Sequence, residues 1–205
     1  MLTSFLSSKK IWPSLGLAGL LVGLLPVIAL ALPYGSGLYG TCAYSSCGLI
    51  ISTNGNVSLS VTPTASGVYT TQSDSVSVTT NASTGYTLTL NDASTDNRLL
   101  NGSDFINAST GSQATPAARS MNSWGYRIDN LGGFGAGPTT AEQNALSSGY
   151  TFAGLPASNQ TADTIKVTSG PASADITTVW YGVAVDSSLP SGSYATTVTY
   201  TAVTN

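Results

Sequence analysis

Histidine is missing from the chain altogether, and glutamate occurs once, at Glu142. Without imidazole, Ser-His-Asp and Cys-His nucleophilic machinery is excluded, as is every histidine-ligated zinc, copper or iron site. General acid-base work needs a titratable group tuned near the working pH and held beside a partner. The two-carboxylate arrangement of glycosidases is the one such option left. Glu142 lies in a Gly/Pro-rich stretch rather than beside strand-borne aromatics, and no aspartate pair stands out. The sequence therefore reads as a non-enzyme that needs no cofactor.

Charge is scarce too, at 7% of residues. Lys9 and Lys10 are two of only six cations, and the other four are Arg98, Arg119, Arg127 and Lys166. Four dispersed cations cannot neutralise a row of phosphates, so nucleic acid is excluded as a partner. Anionic lipid headgroups are poorly matched for the same reason. Hydroxyl and amide groups must solvate the surface instead. Cysteine is limited to Cys42 and Cys47. With no second pair and no histidine, a metal or redox site is disfavoured; in an exported chain the two are expected to form a disulfide closing a small loop.

Export is what the first residues indicate. A positive segment at Lys9 and Lys10 precedes an apolar run from Leu15 to Leu30, and Ala29-Leu30-Ala31 supplies the small-x-small pattern read by a signal peptidase. The run is shorter than the roughly 20 residues that span a bilayer comfortably. Residues 1–31 are thus expected to form a hydrophobic signal helix, cleaved after Ala31 or retained as an anchor, and to be the chain's only contact with a membrane. Cleavage leaves four cations against nine carboxylates, a net charge of −5. The expected divisions are the signal segment at 1–31, an arm with the cysteine pair at 32–47, and one domain at 48–205.

Within that domain, apolar residues recur with a period of two, which places every second side chain on one face of a strand. Val57, Leu59 and Val61 alternate with Ser58, Ser60 and Thr62. Val76 and Val78 precede a turn at Asn81–Gly85, and Tyr86, Leu88 and Leu90 follow it, which predicts a β-hairpin. Further strands are expected at Trp124–Ile128, Ile165–Val167 and Val179–Val185. In the last run Tyr194, Thr196, Val198, Tyr200 and Ala202 share a face. The pattern predicts an all-β fold, an antiparallel two-sheet β-sandwich of immunoglobulin-like or pilin-like type with long polar loops. Trp124 and Trp180 are expected between the sheets.

Two stretches break the rhythm. Residues 91–123 predict a long loop with a small hairpin turning at Asn101-Gly102. Residues 130–161 are Gly/Pro-rich, with one or two helical turns expected over 141–146. Loops of this length are either binding surfaces or decorative insertions. Asp92, Asp96 and Asp104 fall in the first and are weak calcium candidates, although such residues also serve turns through local hydrogen bonds. Tyr34, Tyr39 and Tyr150 lie outside the strand patterns and are candidates for contact with a partner or glycan. Asn-x-Ser/Thr motifs at Asn56, Asn81, Asn101, Asn107 and Asn159 would permit glycans in a host that uses them. Lys166 is an edge-guarding strand lysine or, in the sharper reading, half of an isopeptide bond to an asparagine.

The run Asp186–Tyr200, with Leu189-Pro190-Ser191-Gly192-Ser193-Tyr194 feeding an alternating Thr/Val/Tyr strand, resembles the closing strand of secreted bacterial β-sandwich families of the spore coat protein U and fimbrial-subunit type, or of WxL-type domains. Val76–Leu90 is similar to the paired strands found early in such domains. Neither Trp124 nor Trp180 is followed by leucine two residues on, so no WxL site transfers. The resemblance implies a secreted or cell-surface protein, structural or adhesive, whose partners are other surface proteins or further copies of itself. Residues 32–46 or the C-terminal strand would complete a neighbour's sheet edge. The alternative is a monomeric extracellular carbohydrate- or protein-binding module with its site in residues 91–161.

Overall fold

In the computed structural model, which describes residues 48–205, the two-residue periodicity is realised as strands, with no helix among the described residues. They are β1 (Leu49–Ser52), β2 (Val68–Thr80), β3 (Tyr86–Asp92), β4 (Leu99–Asn101), β5 (Asp104–Ala108), β6 (Ala117–Ala118), β7 (Ser123–Arg127), β8 (Thr151–Phe152), β9 (Asp163–Val167), β10 (Ala172–Val185) and β11 (Val198–Thr204). A six-stranded sheet runs β1-β2-β10-β7-β5-β4, a three-stranded sheet β11-β3-β9, and β6 pairs with β8. Every pairing is antiparallel except β5 with β7. The fold is all-β, as the alternation predicts.

Val76 and Val78 of β2, Tyr86, Leu88 and Leu90 of β3, Tyr126 of β7 and Val179 of β10 are fully buried in one cluster. Burial of each such side chain contributes about 1.5–3 kcal/mol. The cluster draws on both larger sheets, which corrects the expected hairpin: β2 and β3 are consecutive but lie in different sheets. Each strand turns an apolar run to one face, Val76 and Val78 in β2 and Tyr86, Leu88 and Leu90 in β3, and the chain crosses over at residues 81–85 so that these runs share a core. Gly85 makes the crossing possible. Its φ is +83°, and a Cβ there would lie 2.3 Å from the Thr168 carbonyl oxygen.

Alternation fails in β7 and in the second half of β10, where every residue is buried. Tyr181 and Val183 belong to the main core. Gly182, between them, faces the opposite way, toward the Arg119 guanidinium and the Phe152 ring. This part of the six-stranded sheet is covered on both faces, so its strands lose the polar-out pattern. Trp124 pairs with Val183 and joins the main core. Trp180 pairs with Arg127 and is buried on the other face, so both tryptophans are buried but only Trp124 belongs to the main cluster.

Residues 141–146 are not helical, contrary to expectation. They run alongside β2, where Ala145 exchanges both backbone hydrogen bonds with Tyr69 and the Glu142 carbonyl accepts from Thr71 N. The stretch has found a strand edge to pair with, and that pairing outweighs the weak helical tendency of its Ala, Glu and Leu residues. The hairpin at Asn101-Gly102 forms as expected, joining β4 to β5.

Candidate functional site

The predicted strand at 57–62 is correctly faced, yet it joins no ladder among the described residues. Val57, Leu59 and Val61 pack against the main core while Ser58, Ser60 and Thr62 are exposed. Among the described residues, no backbone N–H or carbonyl of residues 56–61 has a hydrogen-bond partner. The flanks of the segment are pinned by Asn54 N on Asp74 Oδ1 (3.0 Å) and Thr62 N on Asn144 Oδ1 (2.8 Å). A β-strand's apolar face is thus seated on the core without the ladder that normally accompanies it.

Two further edges have no partner strand among the described residues. β1 ends the six-stranded sheet, β11 ends the three-stranded sheet, and the two strands are neighbours. Thr197 O accepts from Ala93 N and Asn205 N donates to Gly85 O, so the odd-numbered residues of this run bond toward β3. By the antiparallel pattern, Val198, Tyr200, Ala202 and Thr204 then turn their N–H and C=O groups outward. Neither strand contains a charged residue or a proline, and Ile50 (67% exposed) and Val203 (51%) stand out in solvent. The opposite edges are guarded. β9 carries Asp163 and Lys166, and the three-residue β4 directly follows Arg98. Natural sheets suppress unwanted pairing with such charges and short strands, and on the β1–β11 side that protection is missing.

The long Gly/Pro-rich loop is held down by two buried arginines. The Arg119 side chain is fully buried; its guanidinium donates to Thr70 O, Val183 O, Glu142 Oε2 (2.8 Å) and Ser148 Oγ (2.8 Å), and lies over the Phe152 and Tyr69 rings. Burial pulls its pKa below the ordinary arginine value, and the Glu142 carboxylate works against that shift. Arg127 donates to the carbonyls of Phe134, Gly135 and Ala136 and stands over Tyr150. These cations order the loop. Nothing in their local sequence gave this away.

The candidates read from the sequence are dispersed. Asp92 is buried, accepting from Ser94 N and Thr196 Oγ1. Asp96 is clasped by Arg98, whose hydrogen bonds hold its carboxyl down at about 2. Asp104 lies across the β4–β5 turn from Asn101. Among the described residues no three acidic, cysteine or histidine side chains gather as a metal site. Tyr150 packs half-buried on the arginine-held loop. Lys166 meets Asp175 rather than an asparagine, with Nζ 2.5 Å from Oδ1, while Tyr86 Oη donates to Oδ2 at 2.8 Å. Burial alone would raise the Asp175 pKa, but Lys166 and Tyr86 outweigh it and hold it below the ordinary value. Tyr34, Tyr39, the Cys42–Cys47 pair, the signal segment and the 32–47 arm lie outside the described residues.

A cleft of about 400 Å³ opens beside the main core, lined among others by Asn97, Leu155, Pro156, Gln160, Thr161 and Asp163. Tyr126 Oη donates to Asp163 Oδ2 at 2.5 Å, and burial raises the Asp163 pKa against that bond.

Compared with known proteins, the chain matches no family model, no curated protein and no solved structure.

Proposed function

We propose that this is an exported cell-surface structural or adhesive subunit, a two-sheet β-sandwich that joins to further copies by adding a strand at its open edge. The observation that carries the reading is the unpaired run at 56–61: its apolar face is buried while its backbone groups have no partner among the described residues. Leaving such groups without partners is costly wherever water is displaced from them, so a strand laid alongside is a stabilising addition. The uncharged flanks β1 and β11 support the same reading, since the chain guards its other edges.

Of the two segments able to serve as donor, β11 already pairs with β3 over seven residues and is tied to β10 by the Tyr181–Tyr200 hydroxyl contact at 2.7 Å. The donor is therefore residues 32–46 of a second copy, polar and glycine-bearing, with the Cys42–Cys47 loop at its end. The scarcity of charge and the resemblance to spore coat U and fimbrial subunits agree with a role outside the cell. The test is deletion of residues 32–46 from the secreted protein, followed by sizing and electron microscopy. The proposal expects the parent to form oligomers or filaments and the deletion to remain a folded monomer. An unchanged oligomer distribution overturns it.

A further inference from the structure

The cleft between the turn at residues 109–112 and the stretch 154–163 lies on a different part of the molecule from the open edge, and its lining has a chemistry of its own. Asp163 is the one charged residue in it. One of its carboxylate oxygens is taken by the Tyr126 hydroxyl; the other has no hydrogen-bond partner among the described residues. Gln160 Oε1 accepts from Ala157 N at 3.0 Å, which fixes the side-chain amide and leaves both of its N–H donors uncommitted. Thr161, exposed at the rim, adds a free hydroxyl. Asn97 commits its amide nitrogen to Leu155 O at 2.7 Å, so its own side-chain oxygen remains an acceptor. Pro156, only partly buried, supplies a small apolar surface beside these groups.

From this we infer that the cleft is a binding site for a neutral saccharide. Its lining offers both uncommitted donors and acceptors, which suits vicinal hydroxyls that both give and receive hydrogen bonds. A carboxylate oxygen accepts from two such hydroxyls more strongly than a neutral acceptor does. The exposed part of the Pro156 ring offers a dry face for the C–H side of a sugar ring. An anionic ligand finds no cation in the cleft and one carboxylate that repels it. A metal cation finds one carboxylate where six to eight oxygens are wanted. The volume falls at the small end of ligand pockets, enough for one or two sugar units. The inference does not depend on whether the protein assembles.

The full secreted protein is applied to a panel of neutral hexose and N-acetylhexosamine di- to tetrasaccharides, with sialylated and sulfated counterparts as the anionic arm. Affinities of retained sugars are then measured for the parent, Gln160→Ala and Thr161→Val. The Thr161 hydroxyl is exposed and has no hydrogen-bond partner among the described residues, so its variant keeps the parent's melting temperature and isolates the contact with ligand. The expected result is retention of at least one neutral sugar, exclusion of the anionic ones, and a loss of about threefold to tenfold for each variant. Failure to retain any neutral sugar at about 1 mM overturns the inference. So does equal retention of charged sugars, or affinity unchanged in both variants.

Discussion

Replacing Arg119 with methionine removes the cation that fixes the long loop to the sheet, and the cost can be worked from its contacts. The Arg119 side chain has no exposed surface, and Glu142 is only 14% exposed. The substitution deletes four hydrogen bonds and strands the Glu142 carboxylate with Ser148 alone. Breaking a buried pair from one side costs about 3–5 kcal/mol. Methionine refills part of the volume between Tyr69 and Phe152, so a loss of about 4 kcal/mol is expected. For a domain of this size that lowers Tm by about 8–16 °C. Adding Glu142→Gln to the variant removes the stranded charge and is expected to recover about 1–2 kcal/mol. Urea unfolding followed by tryptophan fluorescence gives all four corners of the cycle. A loss below about 1 kcal/mol for the single variant, or a double variant bearing the summed cost of both changes, would refute the reasoning.

Gly85→Ala is expected to cost more than about 2 kcal/mol, because a side chain at φ +83° also meets the Thr168 carbonyl; thermal unfolding checks it. Acid titration of stability should show a loss as pH falls below the ordinary aspartate value of 3.8, since Asp175 is held below it in the fold and stabilises only while ionised. Lys166→Met should flatten that limb. Asp163 has the opposite sign: its pKa is raised, so its contribution is fullest in acid and is lost as pH rises through the folded value. Ile50→Lys should leave monomer stability within about 0.5 kcal/mol, because the side chain is exposed, while abolishing oligomers seen by light scattering. Oligomers that persist unchanged would show that this edge is not used.

The strands that pack on one face only were legible from alternation: Tyr86, Leu88 and Leu90 fall where the period places them, as do the serines between Val57 and Val61. Periodicity says which side chains point together but not which strand lies alongside, and so β2 and β3 were read as a hairpin although they face each other across the core. In β7 and β10 the pattern blurs because residues distant in sequence, Arg119 and Phe152, cover the second face. The helical turns expected at 141–146 lost to an unfilled stretch of β2's edge, a tertiary circumstance no local propensity encodes. The missing ladder at 56–61 was hidden for the same reason, since the residues there are those of any half-buried strand. The cleft could not be anticipated either, because Asn97, Gln160 and Asp163 are far apart in sequence and ordinary as turn residues.

Amide hydrogen exchange at Val57, Ser58, Leu59, Ser60 and Val61, compared between dilute and assembled protein, addresses the open seat itself. The central claim predicts fast exchange at all five in the monomer, where the amides have no partner among the described residues, and strong protection in the assembly at the alternate amides that face the added strand. Slow exchange in the monomer, or equally fast exchange in both states, would contradict it.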